Sequence, residues 1–119
     1  LVEHARDAVQ DPGPYLAWGE RGEVRIVPVR ADKPTSLGRS LSADVRFDDA
    51  TVSRRHALLI REDDTVRVLD DRSLNGVFVN GERVSSRVLE DGDELVVGRF
   101  HLRFLTVPAP VPAESRATG

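Results

Sequence analysis

Four short segments carry side chains that can capture or position an anion. They are Gly38-Arg39, Ser53-Arg54-Arg55-His56, Ser73-Leu74-Asn75-Gly76 and Asn80-Gly81. Arginine's planar fork suits two-point contact with a phosphate or a carboxylate. Taken singly, each segment has an ordinary structural reading. An arginine after a glycine usually sits solvated at the surface, and an Asn-Gly pair usually makes a turn. A lone histidine such as His56, just before an apolar run, is more often buried and hydrogen-bonded than a ligand. Other chemistries have less behind them. His4, His56 and His101 are dispersed, without metal-ligand spacing. Asp48-Asp49, Asp63-Asp64 and Asp70-Asp71 are paired carboxylates, but each falls at a strand end or turn, where Asp is expected. Asp91-Gly92-Asp93-Glu94 lacks the spacing of a calcium loop, and no glycine-rich nucleotide loop is present. There is no Cys, which removes disulfides, thiolate metal sites and a cysteine nucleophile. With no nucleophile–base pair visible, neither an enzyme nor a cofactor is expected.

The elements that must hold these segments are short strands. Glu23 to Val29 alternates polar and apolar residues with period two, as do Val45-Arg46-Phe47 and Phe100 to Leu105. Tyr15 to Trp18, a run beginning near Thr35, Ala57 to Arg61, Thr65 to Leu69, Val77 to Val79, Val88-Leu89 and Glu94 to Val97 complete the set. Gly, Asp and Asn cluster between them, so the pattern reads as an all-β sandwich. No apolar stretch of helical period stands out between residues 14 and 106. Leu1 to Asp11 is expected to form at most a short helical turn, which Pro12-Gly13-Pro14 breaks. Pro108-Ala109-Pro110-Val111-Pro112 and the small polar residues after it have linker composition. The reading is an extension over 1–13, one domain over 14–106, and a linker or tail over 107–119.

The 119 residues suffice for one domain with one core. With aromatics at only 5%, Val, Leu and Ala must fill that core. The chain has no Met and is expected to be a piece of a larger protein. Seventeen basic against twenty acidic residues give a net charge of −3. A general nucleic-acid or anionic-membrane binder would carry a basic excess instead. Sixteen of the seventeen basic residues are arginine, mostly as compositional background, so each is weighed by its position. No run approaches the roughly 20 apolar residues of a membrane-spanning helix, and no signal peptide is visible.

In order and spacing, the four segments together resemble the forkhead-associated (FHA) domain. That family's pattern is Gly-Arg, then Ser-x-x-His, then Ser-x-Asn-Gly, then a second Asn. Here it reads Gly38-Arg39, Ser53-Arg54-Arg55-His56, Ser73-Leu74-Asn75-Gly76 and Asn80-Gly81, and Leu89 to Gly98 is similar to the family's closing stretch. The resemblance covers about residues 14–106. It implies an all-β, SMAD/FHA-like sandwich of about eleven strands that binds phosphothreonine peptides through the loops at one end. It implies Arg39, Ser53 and Arg54 as phosphate-binding residues. Gly38 would let backbones pass closely, His56 would brace the Ser53 loop from inside, and Gly76 would be structural. Asn75 would hydrogen-bond the peptide main chain, with Asn80 holding its turn and making at most a peripheral peptide contact. Thr51, Arg55 and Arg83 are candidates for reading residues beside the phosphothreonine. The position before Asn75 is frequently Thr in the family. Here Leu74 can offer phosphate only its backbone N–H, and Arg54 would compensate.

The implied function is a phosphothreonine-reading adaptor, bacterial and cytoplasmic, working beside a Ser/Thr protein kinase or its substrate. A monomer is expected, with no nucleic-acid partner and no membrane insertion. The alternative is a structural or assembly domain that keeps the sandwich without using phosphate. A degenerate scaffold would be expected to have lost one of Arg39, Ser53 and Asn75, and all three are present.

Overall fold

Strand-forming alternation dominates the computed structural model, which describes residues 11–109. In chain order the strands are β1 (Gly13–Glu20), β2 (Glu23–Pro28), β3 (Thr35–Gly38), β4 (Val45–Arg46), β5 (Ala57–Glu62) and β6 (Thr65–Asp70). They continue with β7 (Val77–Val79), β8 (Glu82–Val84), β9 (Ser86–Leu89), β10 (Glu94–Val97) and β11 (Phe100–Val107). The described residues contain no helix. One sheet has the order β2-β1-β11-β10-β7-β8 and the other β4-β3-β5-β6-β9. β3 and β4 pair in parallel, over two residue pairs. The eleven-strand sandwich implied by the resemblance is the architecture found.

Burial explains the layering. Along β6, Val66 and Val68 are buried while Thr65 and Arg67 face solvent. Leu16, Leu37, Phe47, Leu59, Leu95, Leu102 and Phe104 fill the space between the sheets, each almost wholly buried. Burying a side chain of this size contributes about 1.5–3 kcal/mol. Three of the six aromatics meet in one group: Trp18 and Phe47 have ring centroids 5.5 Å apart, and Phe47 and Phe100 4.5 Å.

The strands differ from the expected runs mainly at their edges. β8 and the start of β9 gave no apolar signal, because Glu82, Arg83, Ser85 and Ser86 are exposed residues at the margins of the sheets. β1 begins one residue before the expected domain start, and β11 ends one residue after the expected end. The helical turn expected over Leu1 to Asp11 lies, apart from Asp11, outside the described residues, as does the tail from residue 110.

This topology brings three connections to one end of the sandwich. They are the segment after β3, the segment between β4 and β5, and the β6–β7 loop. The β10–β11 turn joins them there: Gly98 approaches Thr51 and Val52 so closely that an added Cβ would stand 2.6 Å from Thr51 Oγ1 and 2.8 Å from Val52 Cγ2. Asn80-Gly81 lies at the opposite end of β7, beside Asp93 and Glu94.

Candidate functional site

β3 delivers Gly38 and Arg39 to the rim. Beyond the strand, Arg39 N–H donates to Ser53 O at 2.9 Å and Ser40 N–H to Arg54 O at 3.1 Å. A Cβ at Gly38 would stand 3.0 Å from the Arg54 carbonyl carbon, 3.2 Å from Ser53 O and closer still to Arg54 O. Only glycine permits that approach. The Arg39 side chain is fixed at its base, where Nε donates to Val52 O at 3.0 Å. Its two terminal amino groups have no protein acceptor among the described residues, so they form a held, outward-facing fork.

Ser53 stands beside that fork on a braced loop. Its N–H donates to His56 Nδ1 at 3.0 Å. An amide nitrogen can only donate, so Nδ1 accepts and the ring proton sits on Nε2, which donates to Gly76 O at 2.8 Å. His56 is completely buried. One imidazole thus ties the Ser53 segment to the β6–β7 loop. Ser53 Oγ in turn accepts the Leu74 N–H at 2.8 Å. An acceptor lone pair is used in that bond, and the hydroxyl proton remains available to donate.

The β6–β7 loop is held from within. Ser73 N–H and Oγ donate to the two oxygens of Asp70, at 2.8 and 2.9 Å, and Gly76 N–H donates to Ser73 Oγ at 3.0 Å. Asn75 then projects beside the β4–β5 segment, where its Nδ2 donates to Thr51 O at 2.9 Å. Its Oδ1 has no protein partner among the described residues and can accept an N–H. Gly76 has φ +92°, and an added Cβ there would meet Arg83 Nε at 2.7 Å. The Arg83 side chain therefore reaches this end of the molecule and lies against Gly76.

Four of the candidate contact residues are engaged within the chain. Leu74 does not hold its N–H open toward a phosphate, because Ser53 Oγ receives it; its side chain is 83% exposed. Asn80 is spent on its own turn: Nδ2 donates to Asp93 Oδ1 at 2.9 Å, and Oδ1 accepts Glu94 N–H at 2.9 Å. Its φ of 50° belongs to the turn, far along β7 from Asn75. Arg55 is engaged with both Asp71 oxygens at 3.0 Å. Thr51 Oγ1 donates to Asp49 Oδ1 at 2.6 Å and accepts Arg99 N–H at 3.0 Å, so it braces the loop.

Asp49, read from the sequence only as a turn aspartate, and Arg99, which the sequence reading did not single out, together fasten the β4–β5 segment. Arg99 Nε donates to Asp49 Oδ2 at 2.5 Å. The Thr51 hydroxyl first, then Arg99, then the Thr51 amide lower the Asp49 pKa to about 2. The spacing Asp-x-Thr is the sequence signal for such an Asx turn. Arg46, Arg55 and Arg99 are matched by Asp48, Asp71 and Asp49. Arg39, Arg54, Arg72 and Arg83 have no carboxylate partner among the described residues. This end is thus locally cationic on a chain of net charge −3. Among the described residues no cluster of His, Asp or Glu is arranged to hold a metal ion. None contains a helix long and apolar enough to cross a membrane.

The FHA domain family model matches residues 35–98, from the first residue of β3 to the β10–β11 turn. The chain is similar to the glycogen accumulation regulator GarA of Mycolicibacterium smegmatis, with 48% identity over 87 residues, 72% of this chain and 55% of that protein. It is similar to the oxoglutarate dehydrogenase inhibitor of Corynebacterium diphtheriae, with 47% identity over 78 residues, 65% of this chain and 54% of that protein. The chain thus spans about half the length of the curated relatives it matches. Among solved structures, one from a structural and functional analysis of phosphothreonine-dependent FHA domain interactions superposes with a TM-score of 0.75. It has 28% identity, covering 81% of this chain and 98% of that one. With the family model spanning the three loops that build the site, the chain belongs to the FHA domain family.

Proposed function

We propose that the chain is a phosphothreonine-peptide-binding module and has no catalytic role of its own. The observation that carries this reading is the Arg39–Ser53 pair. Arg39 is anchored through Nε with its terminal amino groups unengaged, beside a serine hydroxyl whose remaining valence is a donor. A phosphothreonine brings about −1.5 to −2 charge and three acceptor oxygens. The arginine fork would take two of those oxygens and Ser53 would donate to phosphate. Arg54, on the same segment and without a carboxylate partner among the described residues, would add attraction. Asn75 Oδ1 would accept a main-chain N–H of the peptide.

Three charge-assisted contacts at about 1.5–3 kcal/mol each give roughly 5–9 kcal/mol before ordering costs. Micromolar affinity, about −8 kcal/mol, is the expected scale. The relatives are named as a regulator and as an enzyme inhibitor. By analogy, this chain would be the phosphopeptide-reading part, over residues 14–106, of a cytoplasmic bacterial regulator that works with a Ser/Thr protein kinase.

Fluorescence polarisation with a phosphothreonine peptide library, the matched phosphoserine peptides and the unphosphorylated twins tests the proposal. Binding should be strongest for phosphothreonine and absent for the twins. Equal binding of phosphorylated peptides and twins would instead make the domain a phosphate-independent scaffold.

A further inference from the structure

The outer face of the five-stranded sheet carries a cleft to which the proposed phosphate and main-chain contacts assign no ligand group. It has a volume of about 240 Å³ and lies where β3, the β3–β4 loop and β5 meet. Ala43 and Leu58 give it half-buried apolar walls, and Ser40, Arg54, Arg55 and Asp71 stand around them. Leu58 faces outward, since its neighbours Ala57 and Leu59 are completely buried in the core. It pairs across the sheet with Ser36 on one side and Leu69 on the other. A solvent-facing sheet position is ordinarily polar. Leu41, between Ser40 and Ser42, is 86% exposed, adding apolar surface that the other described residues leave uncovered.

The cleft is pre-formed. The two-point Arg55–Asp71 pair fixes one margin, and the Ser40 N–H bond to Arg54 O fixes the other. It is also continuous with the proposed phosphate site. Along the five residues Thr51 to Arg55, Thr51 O holds Asn75 at one end. Ser53 lies in the middle, and Arg54 and Arg55 line the cleft at the other end. Consecutive Cα atoms of an extended peptide are about 3.8 Å apart, so a residue near the phosphothreonine can reach it. An apolar cavity of about 150 Å³ holds a benzene, so this one has room for a single side chain of moderate size.

We infer that the cleft is a second pocket for the same ligand: it receives one apolar side chain from a residue one to three positions from the phosphothreonine, on the side away from Asn75. The inference rests on the phosphothreonine reading. Arg39 would supply the phosphate contact, and the wall of Ala43 and Leu58 would select which phosphothreonine sites are read.

The test is a set of phosphothreonine peptides in which each of the three residues on either side is set in turn to Ala, Leu or Asp. They are titrated against the wild-type chain, Leu58→Asp, Ala43→Gln and Arg39→Ala, each checked for folding by thermal melt. Leu at one position, on one side only, should bind about tenfold tighter than Ala. Leu58→Asp and Ala43→Gln should erase that preference and bind the all-Ala phosphopeptide as the wild type does. Arg39→Ala should weaken every peptide. The inference falls if no position prefers Leu, or if the two cleft variants weaken Ala and Leu peptides alike. If no phosphorylated peptide outbinds its unphosphorylated twin, the functional reading falls and the inference with it.

Discussion

A single methyl group at Gly38 would press on the Arg54 carbonyl, and neither strand end can yield, because Arg39 and Ser40 are bonded to Ser53 and Arg54. Gly38→Ala should therefore lower stability by about 1–3 kcal/mol, the usual cost of overpacking. A shifted urea midpoint with an unchanged slope would show it, and an unmoved midpoint would mean the two segments separate in solution. His56→Ala should cost about 2–5 kcal/mol, since it empties a buried volume and leaves Ser53 N–H and Gly76 C=O without their partner. The same variant should weaken phosphopeptide binding, because the imidazole spans both loops; full affinity in a folded variant would remove the bracing role. Arg39, Ser53, His56 and Asn75 were legible from residue type and order. Asp49 and Asp70 were not, because a turn aspartate looks the same whether it caps one loop or holds two together.

The β4–β5 connection shows what the elements contribute. It has no ladder of its own, and its shape depends on Asp49 receiving Thr51 and Arg99. Asp49 in the folded chain has a pKa of about 2, below its ordinary value of 3.8. A carboxylate held low adds stability that is complete above about pH 4 and disappears as pH falls from there through about 2. Urea unfolding at pH 5, 3 and 2 should accordingly show wild type and Asp49→Asn converging as pH drops. A constant gap between them would contradict the assignment. Elements with strong period-two alternation, such as β2 and β6, could be read from the sequence. β4, with two residues, shows only in the brief alternation of Val45-Arg46-Phe47, and β8, with three, could not be located by pattern. The strand form of β8 comes from pairing with β7, a tertiary effect that a local window does not contain.

Across the whole molecule, charge is uneven in a way the composition hides. On a chain of net charge −3, Arg39, Arg54, Arg72 and Arg83 have no carboxylate partner among the described residues, so a local cationic patch coexists with a net acidic charge. Sheet order was not legible in the sequence, and the gathering of loops at one end came from the resemblance rather than from alternation. If phosphate is the main recognition element, affinity should rise from pH 5 to pH 7 as its second proton, with a pKa near 6, is lost. A flat profile in calorimetric titrations over that range would count against it. The most direct measurement is a calorimetric cycle on one peptide, crossing wild type and Arg39→Ala with the phosphorylated and unphosphorylated forms. The account predicts a coupling of about 1.5–3 kcal/mol between the guanidinium and the phosphate. A coupling of zero, with the variant folded and the phosphopeptide still bound, would contradict it.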